Sequence, residues 1–275
     1  NGRDSSMRLA IDAVKNGEAH GVVSAGNTGA LMAMAKVSLK CLPGVTRPAI
    51  ASVFPTRHGE TVVLDLGANV VCDAEVLVQF AVLGAVYARV VKGIEKPTLG
   101  LLNVGSEDIK GHDDVRAAHA ILSKMDFPAD YQGFVEGDDI PMGTVNVVVT
   151  DGFTGNVALK VGEGVGSLMN HFLKDELKST LKARIGAFLA MGALKRLKRR
   201  MDPRHYNGGM FLGLNGICVK SHGGMDSYGF SRAIAMAASL VENGFNTRVC
   251  QEIENLMSQD AFVASLVTEA EGVAT

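Results

Sequence analysis

Two short segments carry polar groups of mixed chemistry where an apolar run gives way to glycine. The first, Asp151-Gly-Phe-Thr-Gly-Asn156, places a carboxylate, a hydroxyl and an amide at the entrance to a long helical pattern. Unpaired N–H groups and the positive end of a helix dipole make such an entrance suited to anions, and Asp151, Thr154 and Asn156 could orient one. Thr and Asn are also ordinary helix caps, and the segment read alone fits capping better than anion binding. Lys160, one turn beyond Asn156 on the same face, is placed to pair with an acid or to reach an anion. The second segment runs from Asn215 to Gly223 and ends a short apolar strand with Lys220, Ser221 and His222. A cation, a hydroxyl and an imidazole before glycine suit an oxyanion or a phosphate, although His222 is also compatible with a plain surface loop.

Three further glycine turns follow strand patterns. Ser24-Ala-Gly-Asn27-Thr28-Gly and Asp65-Leu-Gly-Ala-Asn69 offer hydroxyls, amides and one carboxylate. Asn103-Val-Gly-Ser106-Glu107-Asp-Ile-Lys110 offers an anion-binding lysine beside acids, or an exposed charged turn. Glycine lets the backbone approach a ligand closely, and in open α/β sheets ligands lie beyond the carboxyl ends of strands. The expectation is one shared anion or carbonyl site built by these turns.

Other chemistries lack their signatures. The seven histidines show no HxH or HExxH spacing and the four cysteines form no CxxC, so no metal is expected. Neither GxGxxG after the first strand nor GxxxxGK[ST] nor GxSxG is present, so no nucleotide cofactor or serine nucleophile elbow is expected. Scattered cysteines suit a reducing compartment without disulfides. A net charge of −2, no Trp and 5% aromatic residues argue against nucleic acid as a partner.

The turns need elements to hold them. Strands are predicted at Gly21–Ser24, Ala49–Phe54, Thr61–Asp65, Thr98–Val104, Val145–Thr150 and Ile217–Lys220. Helical patterns lie at Ser5–Lys15, Thr28–Lys40, Asp73–Val91, Asp113–Lys124 and Asn156–Lys178. The last spaces Val161, Val165, Leu168, Met169 and Phe172 as one buried face. Near-continuous apolar strands alternating with helices predict a three-layer α/β/α fold with a mostly parallel sheet. The 275 residues, 47% of them apolar, read as a single domain over 1–275.

Residues 177–204 differ from the rest. Lys178, Lys182, Arg184, Lys195, Arg196, Lys198, Arg199 and Arg200 flank the apolar stretch Ile185–Leu194. The stripe through Leu181, Ile185, Phe188 and Leu189 does not continue onto Leu194, Leu197 and Met201. Two helical arms joined near Gly186–Gly192 follow, with Phe188, Leu189, Met191 and Leu194 at or near an apolar tip. Such a tip suits shallow insertion into an anionic membrane surface, or a buried dimer-packing helix pair. No apolar run of roughly 18 residues and no signal peptide is visible, so the expected location is cytoplasmic. Asn1 opens the chain without an initiator Met, so part of the natural N-terminus is expected to be missing.

Taken in order, these segments resemble the PlsX family of phosphate acyltransferases. The resemblance rests on Asp4–Arg8, Val23–Met32, Leu64–Asn69, Leu102–Glu107 with Lys110-Gly111, Val149–Val157, and Leu212–Gly216 through Lys220–Gly223. It covers the chain to about Glu242. It implies an isocitrate dehydrogenase-like or phosphotransacetylase-like α/β/α fold, a homodimer and peripheral membrane association. It also implies transfer of a fatty acyl group from an acyl carrier protein thioester to inorganic phosphate. The product would pass to a membrane glycerol-3-phosphate acyltransferase in phospholipid synthesis. Family members begin with an extra region bearing an Asp-Met-Gly-Gly-Asp-like motif, which this chain lacks. Under this reading Lys220, His222, Asn156, Thr154 and Asp151 are the catalytic candidates. Ser24, Asn27, Thr28, Asp65, Asn69, Ser106, Glu107, Lys110, Asn215 and Ser221 are the candidates for binding substrate. The alternatives are a CoA-dependent phosphotransacetylase or a metal- and NAD-dependent dehydrogenase on the same fold, or a non-catalytic membrane-docking protein.

Overall fold

The valine run near residue 148 is buried on both faces, as its near-continuous apolar character predicts. Val147 and Val149 join one core and Val148 the other. In the computed structural model, which describes residues 4–257, this run is strand β6 (Val147–Val149) of an eight-stranded sheet. The other strands are β1 (Gly21–Ser24), β2 (Ala49–Thr56), β3 (Gly59–Leu64), β4 (Thr98–Leu102), β5 (Asp130–Val135), β7 (Gly209–Leu212) and β8 (Ile217–Lys220). Their order is β1-β8-β7-β2-β3-β6-β4-β5. Strands β3, β6, β4 and β5 pair in parallel, and so do β1 and β8. Between these groups β2 pairs antiparallel with β3 and β7, and β7 with β8. Three antiparallel steps therefore reverse the direction of β1 and β8 relative to β3, β6 and β4.

Helices cover both faces, as the alternating pattern predicts. On one face lie α3 (Ala74–Lys92), α4 (Asp113–Leu122), α9 (Ser227–Glu242) and α10 (Phe245–Met257). On the other lie α1 (Ser6–Lys15), α2 (Thr28–Leu39), the short α5 (Asp139–Met142) and the first turns of α6 (Gly152–Ser179). Helix α3 is long and apolar enough to cross a membrane, but 78% of its apolar window is buried within the protein. It lies so close to the sheet that a side chain at Gly84 would press on Val147 and Leu64.

Two strands escape sequence reading for local reasons. Strand β5 carries Gly133 at positive φ, and its register against β4 shifts between Leu99 and Leu101. Strand β7 is four residues long and opens on consecutive glycines.

The stripe on α6 departs from expectation. Val161, Val165, Leu168, Met169 and Phe172 are 50–59% exposed, and only Gly152 and Gly155 of the whole helix are buried. Ala158 and Leu159 still pack on the core, but beyond them the helix of roughly 42 Å runs clear of the sheet. The basic segment also differs from two simple arms. Helix α6 continues to Ser179, and Thr180 then caps α7 (Leu181–Leu189) by accepting from the Ala183 N–H. A second break at Ala190 starts α8 (Met191–Arg200), whose last residue donates to the carbonyls of Thr56 and Arg57. Phe188, Leu189 and Met191 are exposed and Leu194 is half-buried.

Because α3 touches β6 and β3 without a gap, Gly84→Val should cost about 1–3 kcal/mol of stability through overpacking. An unchanged denaturant midpoint for that variant would show that the contact tolerates displacement.

Candidate active site at the carboxyl ends of the parallel strands

The turn after β3 is organised by one buried carboxylate. Asp65 Oδ1 accepts from the backbone N–H groups of Ile50, Gly67 and Ala68 at 2.9, 3.2 and 3.0 Å. Its Oδ2 accepts from the Asn69 N–H at 2.7 Å and from Asn69 Nδ2 at 2.9 Å. Burial pushes the Asp65 carboxyl above its ordinary pKa, and these donors pull against that push. Five donors leave an acid proton no place to go, so the turn holds the ionised form. Asn69 Nδ2 also donates to the Pro48 carbonyl at 2.8 Å, which fastens the turn to the start of β2. Asp65 and Asn69, expected to touch substrate, thus spend their side chains on building the turn.

Helix α6 begins against that turn. The Gly152 N–H donates to the Asn69 carbonyl at 2.7 Å. A Cβ on Gly155 would stand 1.9 Å from the Asp65 carbonyl oxygen, and one on Gly152 would stand 2.5 Å from that of Asn69. Only glycine permits this approach. Asp151, rather than Thr154, is the cap: its carboxylate accepts from the Thr154 N–H at 2.8 Å and from Thr154 Oγ1 at 2.7 Å. Asn156 lies 3.5 Å from where a Gly67 side chain would begin, is exposed, and has no side-chain hydrogen bond among the described residues. Lys160 takes the plainer of its two options and pairs with Glu163 at 2.7 Å.

The turn after β4 leaves the neighbouring parallel strand. Lys110 pairs with Glu107 at 2.8 Å, which holds the Glu107 carboxyl below its usual range and the Lys110 ammonium above its own. Asn103 Nδ2 donates to the Lys110 carbonyl and closes the loop. Ser106 is exposed.

The remaining candidates form a second group. Ser24 pairs with Lys220 in register, and the Ser221 N–H donates to the Ser24 carbonyl at 2.9 Å. Asn27 caps α2 through the Ala30 N–H, and Thr28 is the first residue of that helix. Ser221 is buried and accepts from Asn207 Nδ2 at 2.9 Å, while Asn207 Oδ1 accepts from the His222 N–H at 3.0 Å. The Gly224 N–H donates to His222 Nδ1 at 3.1 Å, so a neutral ring carries its proton on Nε2. Lys220 donates to the Ser221 carbonyl, and burial holds its pKa below the ordinary lysine value. Asn215 sits at the opposite end of β8 from Lys220, so these two are not brought together.

The glycine turns expected to share one site therefore fall into two groups. Because β1 and β8 run against β3, β6 and β4, their turns leave the sheet in the opposite direction, and no hydrogen bond joins the groups among the described residues. Three residues near these turns gave no signal in the sequence. Asn207 latches the second group. Arg47 Nη1 donates to the Val71 carbonyl at 3.2 Å beside the first. Cys72 is buried behind it, and burial, with the charges of Asp65 and Asp151 adding, pushes its thiol up to about 12. At neutral pH that thiol is no nucleophile.

Removing the charge at the centre of the first group should be severe. Asp65→Asn turns one accepting oxygen into a donor facing other donors, and should cost about 3 kcal/mol. Urea unfolding checks this, and a loss below about 0.5 kcal/mol would mean that the turn stands without the carboxylate.

Comparison with known proteins places this architecture. Residues 1–248 match the family model described as "Fatty acid synthesis protein". The chain is 57% identical over 274 residues to the phosphate acyltransferase of Rhodospirillum centenum, covering 99% of this chain and 77% of that protein. It is 59% identical over 255 residues to that of Paramagnetospirillum magneticum, covering 93% and 73%. Among solved structures it resembles EutD phosphotransacetylase from Staphylococcus aureus with a TM-score of 0.57 at 17% identity, covering 86% of this chain and 67% of that one. A phosphotransacetylase from Streptococcus pyogenes gives 0.58 at 18% identity with the same coverage, and likeness at this level speaks for the fold alone. With the family model matching most of the chain and relatives above half identity along nearly all of it, the chain belongs to the PlsX family of phosphate acyltransferases.

Proposed function

We propose that this chain transfers a fatty acyl group from an acyl carrier protein thioester to inorganic phosphate, giving acyl phosphate for phospholipid synthesis. The observation that carries the reading is the start of α6. Two glycines there admit close backbone approach, and the Asn156 amide is exposed and uncommitted beside Gly67. Phosphate attacks the thioester carbonyl, a C–O bond forms, the C–S bond breaks, and the thiolate leaves with the carrier. A phosphate dianion is already nucleophilic near neutral pH, so the protein supplies position and charge stabilisation. The raised Cys72 thiol is consistent with direct attack rather than an acyl-cysteine intermediate.

Asn156 orients the reacting oxygen, Asp151 and Thr154 hold the helix entrance, and Lys110, in the turn after β4, lines the same end of the sheet while paired with Glu107. Lys220 and His222, with Ser24, Asn27 and Thr28, form the second set of candidates. Lys220 has no carboxylate partner among the described residues, which leaves its ammonium available for an anion. Exposed apolar side chains fit an acyl substrate: Val70, Val71, Val104, Ile109 and Phe153 are 63–75% exposed apart from Ile109 at 83%, the first four on the turns of the first group and Phe153 in the first turn of α6.

The bare stripe of α6 suits packing against a second copy of the chain, which would cover Val161, Val165, Leu168, Met169 and Phe172. The exposed Phe188 and Leu189, with basic residues on both sides, suit peripheral contact with an anionic membrane on the cytoplasmic side. Acyl phosphate is labile, and docking would deliver it near a membrane glycerol-3-phosphate acyltransferase.

Incubating the protein with acyl carrier protein thioester and phosphate tests the reaction. Acyl phosphate should form, and Asn156→Ala should lower kcat by about 100-fold while the fold persists. Thioester consumption without acyl phosphate would overturn the reading. For the membrane, Phe188→Asp with Leu189→Asp should abolish co-sedimentation with anionic vesicles and leave soluble turnover intact. Loss of dimerisation with no vesicle binding by the unmodified chain would assign these side chains to the subunit contact instead.

A further inference from the structure

Anion chemistry at the start of α6 faces an electrostatic difficulty. Asp65 and Asp151 bring two carboxylates to the turns where an anionic substrate would sit. Nearby cations are mostly spoken for, since Lys110 pairs with Glu107 and Lys160 with Glu163. Arg47 is different. Its side chain is exposed and forms no ion pair with a carboxylate among the described residues. Elsewhere Arg8, Arg89 and Arg204 are each neutralised by an acid.

Its position is held from two directions. The chain next to Arg47 is latched to the turn by the bond from Asn69 Nδ2 to the Pro48 carbonyl, and its Nη1 donates to the Val71 carbonyl at 3.2 Å. The same turn receives the first N–H of α6 through the Asn69 carbonyl. Val71, which Arg47 touches, follows Asn69 by two residues, so the guanidinium rests on the same turn that meets the first residue of α6. A guanidinium has five N–H donors in a rigid fork, and one contact to a carbonyl leaves most of them free for a phosphoryl group.

We infer that Arg47 binds a phosphoryl group of the substrates, offsetting the two carboxylates at the start of α6. The inference rests on the acyl-transfer reading of that site. The phosphoryl group has two possible sources, inorganic phosphate or the phosphodiester that tethers the acyl thioester to its carrier.

Steady-state kinetics of the unmodified chain, Arg47→Gln and Arg47→Lys, with phosphate and acyl carrier varied separately, decide between them. If Arg47 holds phosphate, Arg47→Gln should raise the KM for phosphate about 10-fold or more with the carrier KM unchanged, and Arg47→Lys should recover part of the loss. If it holds the tether, the carrier KM rises instead, and a short acyl thioester lacking the phosphodiester is used equally by both proteins. A folded Arg47→Gln enzyme with both KM values within about twofold of the original overturns the inference, as does a fall in melting temperature or kcat alone. Should Arg47→Gln unfold, Arg47→Lys carries the same comparison, because it keeps the charge but loses the fork. If the unmodified chain makes no acyl phosphate, the acyl-transfer reading fails. Arg47 is then judged by thermal stabilisation with inorganic phosphate, and a shift that survives Arg47→Gln sinks it.

Discussion

The Asp65 carboxylate is the constraint on which the first group of turns depends. A buried charge is tolerated only when hydrogen bonds replace lost water, and here five donors do so. One of them, Ile50, lies on β2, so a single side chain ties the end of β3 to the strand beside it. The turn so formed then dictates what may stand against it. Gly152 and Gly155 are required because α6 begins in contact with Asp65 and Asn69. The exposed Asn156 amide is placed as a consequence, one residue beyond the closest approach.

The same arrangement shapes the chemistry by subtraction. Hydroxyls and amides that look reactive in the sequence are spent on structure: Thr154 on Asp151, Ser221 on Asn207, Asn69 on Asp65 and Pro48. At the first group what remains free is small in number, chiefly the Asn156 amide, the other donors of Arg47 and the apolar rim. A site of that kind suits a reaction whose nucleophile arrives already charged and needs placing rather than activating.

The surface beyond the sheet follows a different logic. Helix α6 outruns the core it starts from, and its apolar face then meets no partner within the described chain. A stripe of five large apolar side chains in water is unfavourable, and its regular spacing matches the face of another helix. The basic, apolar-tipped helix α7 follows α6, and α8 then returns to the sheet, where Arg200 donates to the carbonyls of Thr56 and Arg57.

Periodicity alone determined the alternation of strands and helices, the two-sided burial of the Val147–Val149 run, and the glycine turns at strand ends. These are local signals, since each follows from the spacing of neighbouring side chains along one element. The order of those turns along the chain was also enough to place it in its family. Tertiary structure decided the rest. Strand direction across β2 and β7 split turns that look alike in the sequence into two groups. Whether the α6 stripe was covered depended on how far the sheet extended, not on the stripe. Asp65 became a brace, and Arg47 a neighbour of the turn after β3, through contacts between residues 15 and 24 apart along the chain. Residue type and spacing report what one element can present; which polar groups remain free is settled only when separate elements meet and use up each other's hydrogen bonds.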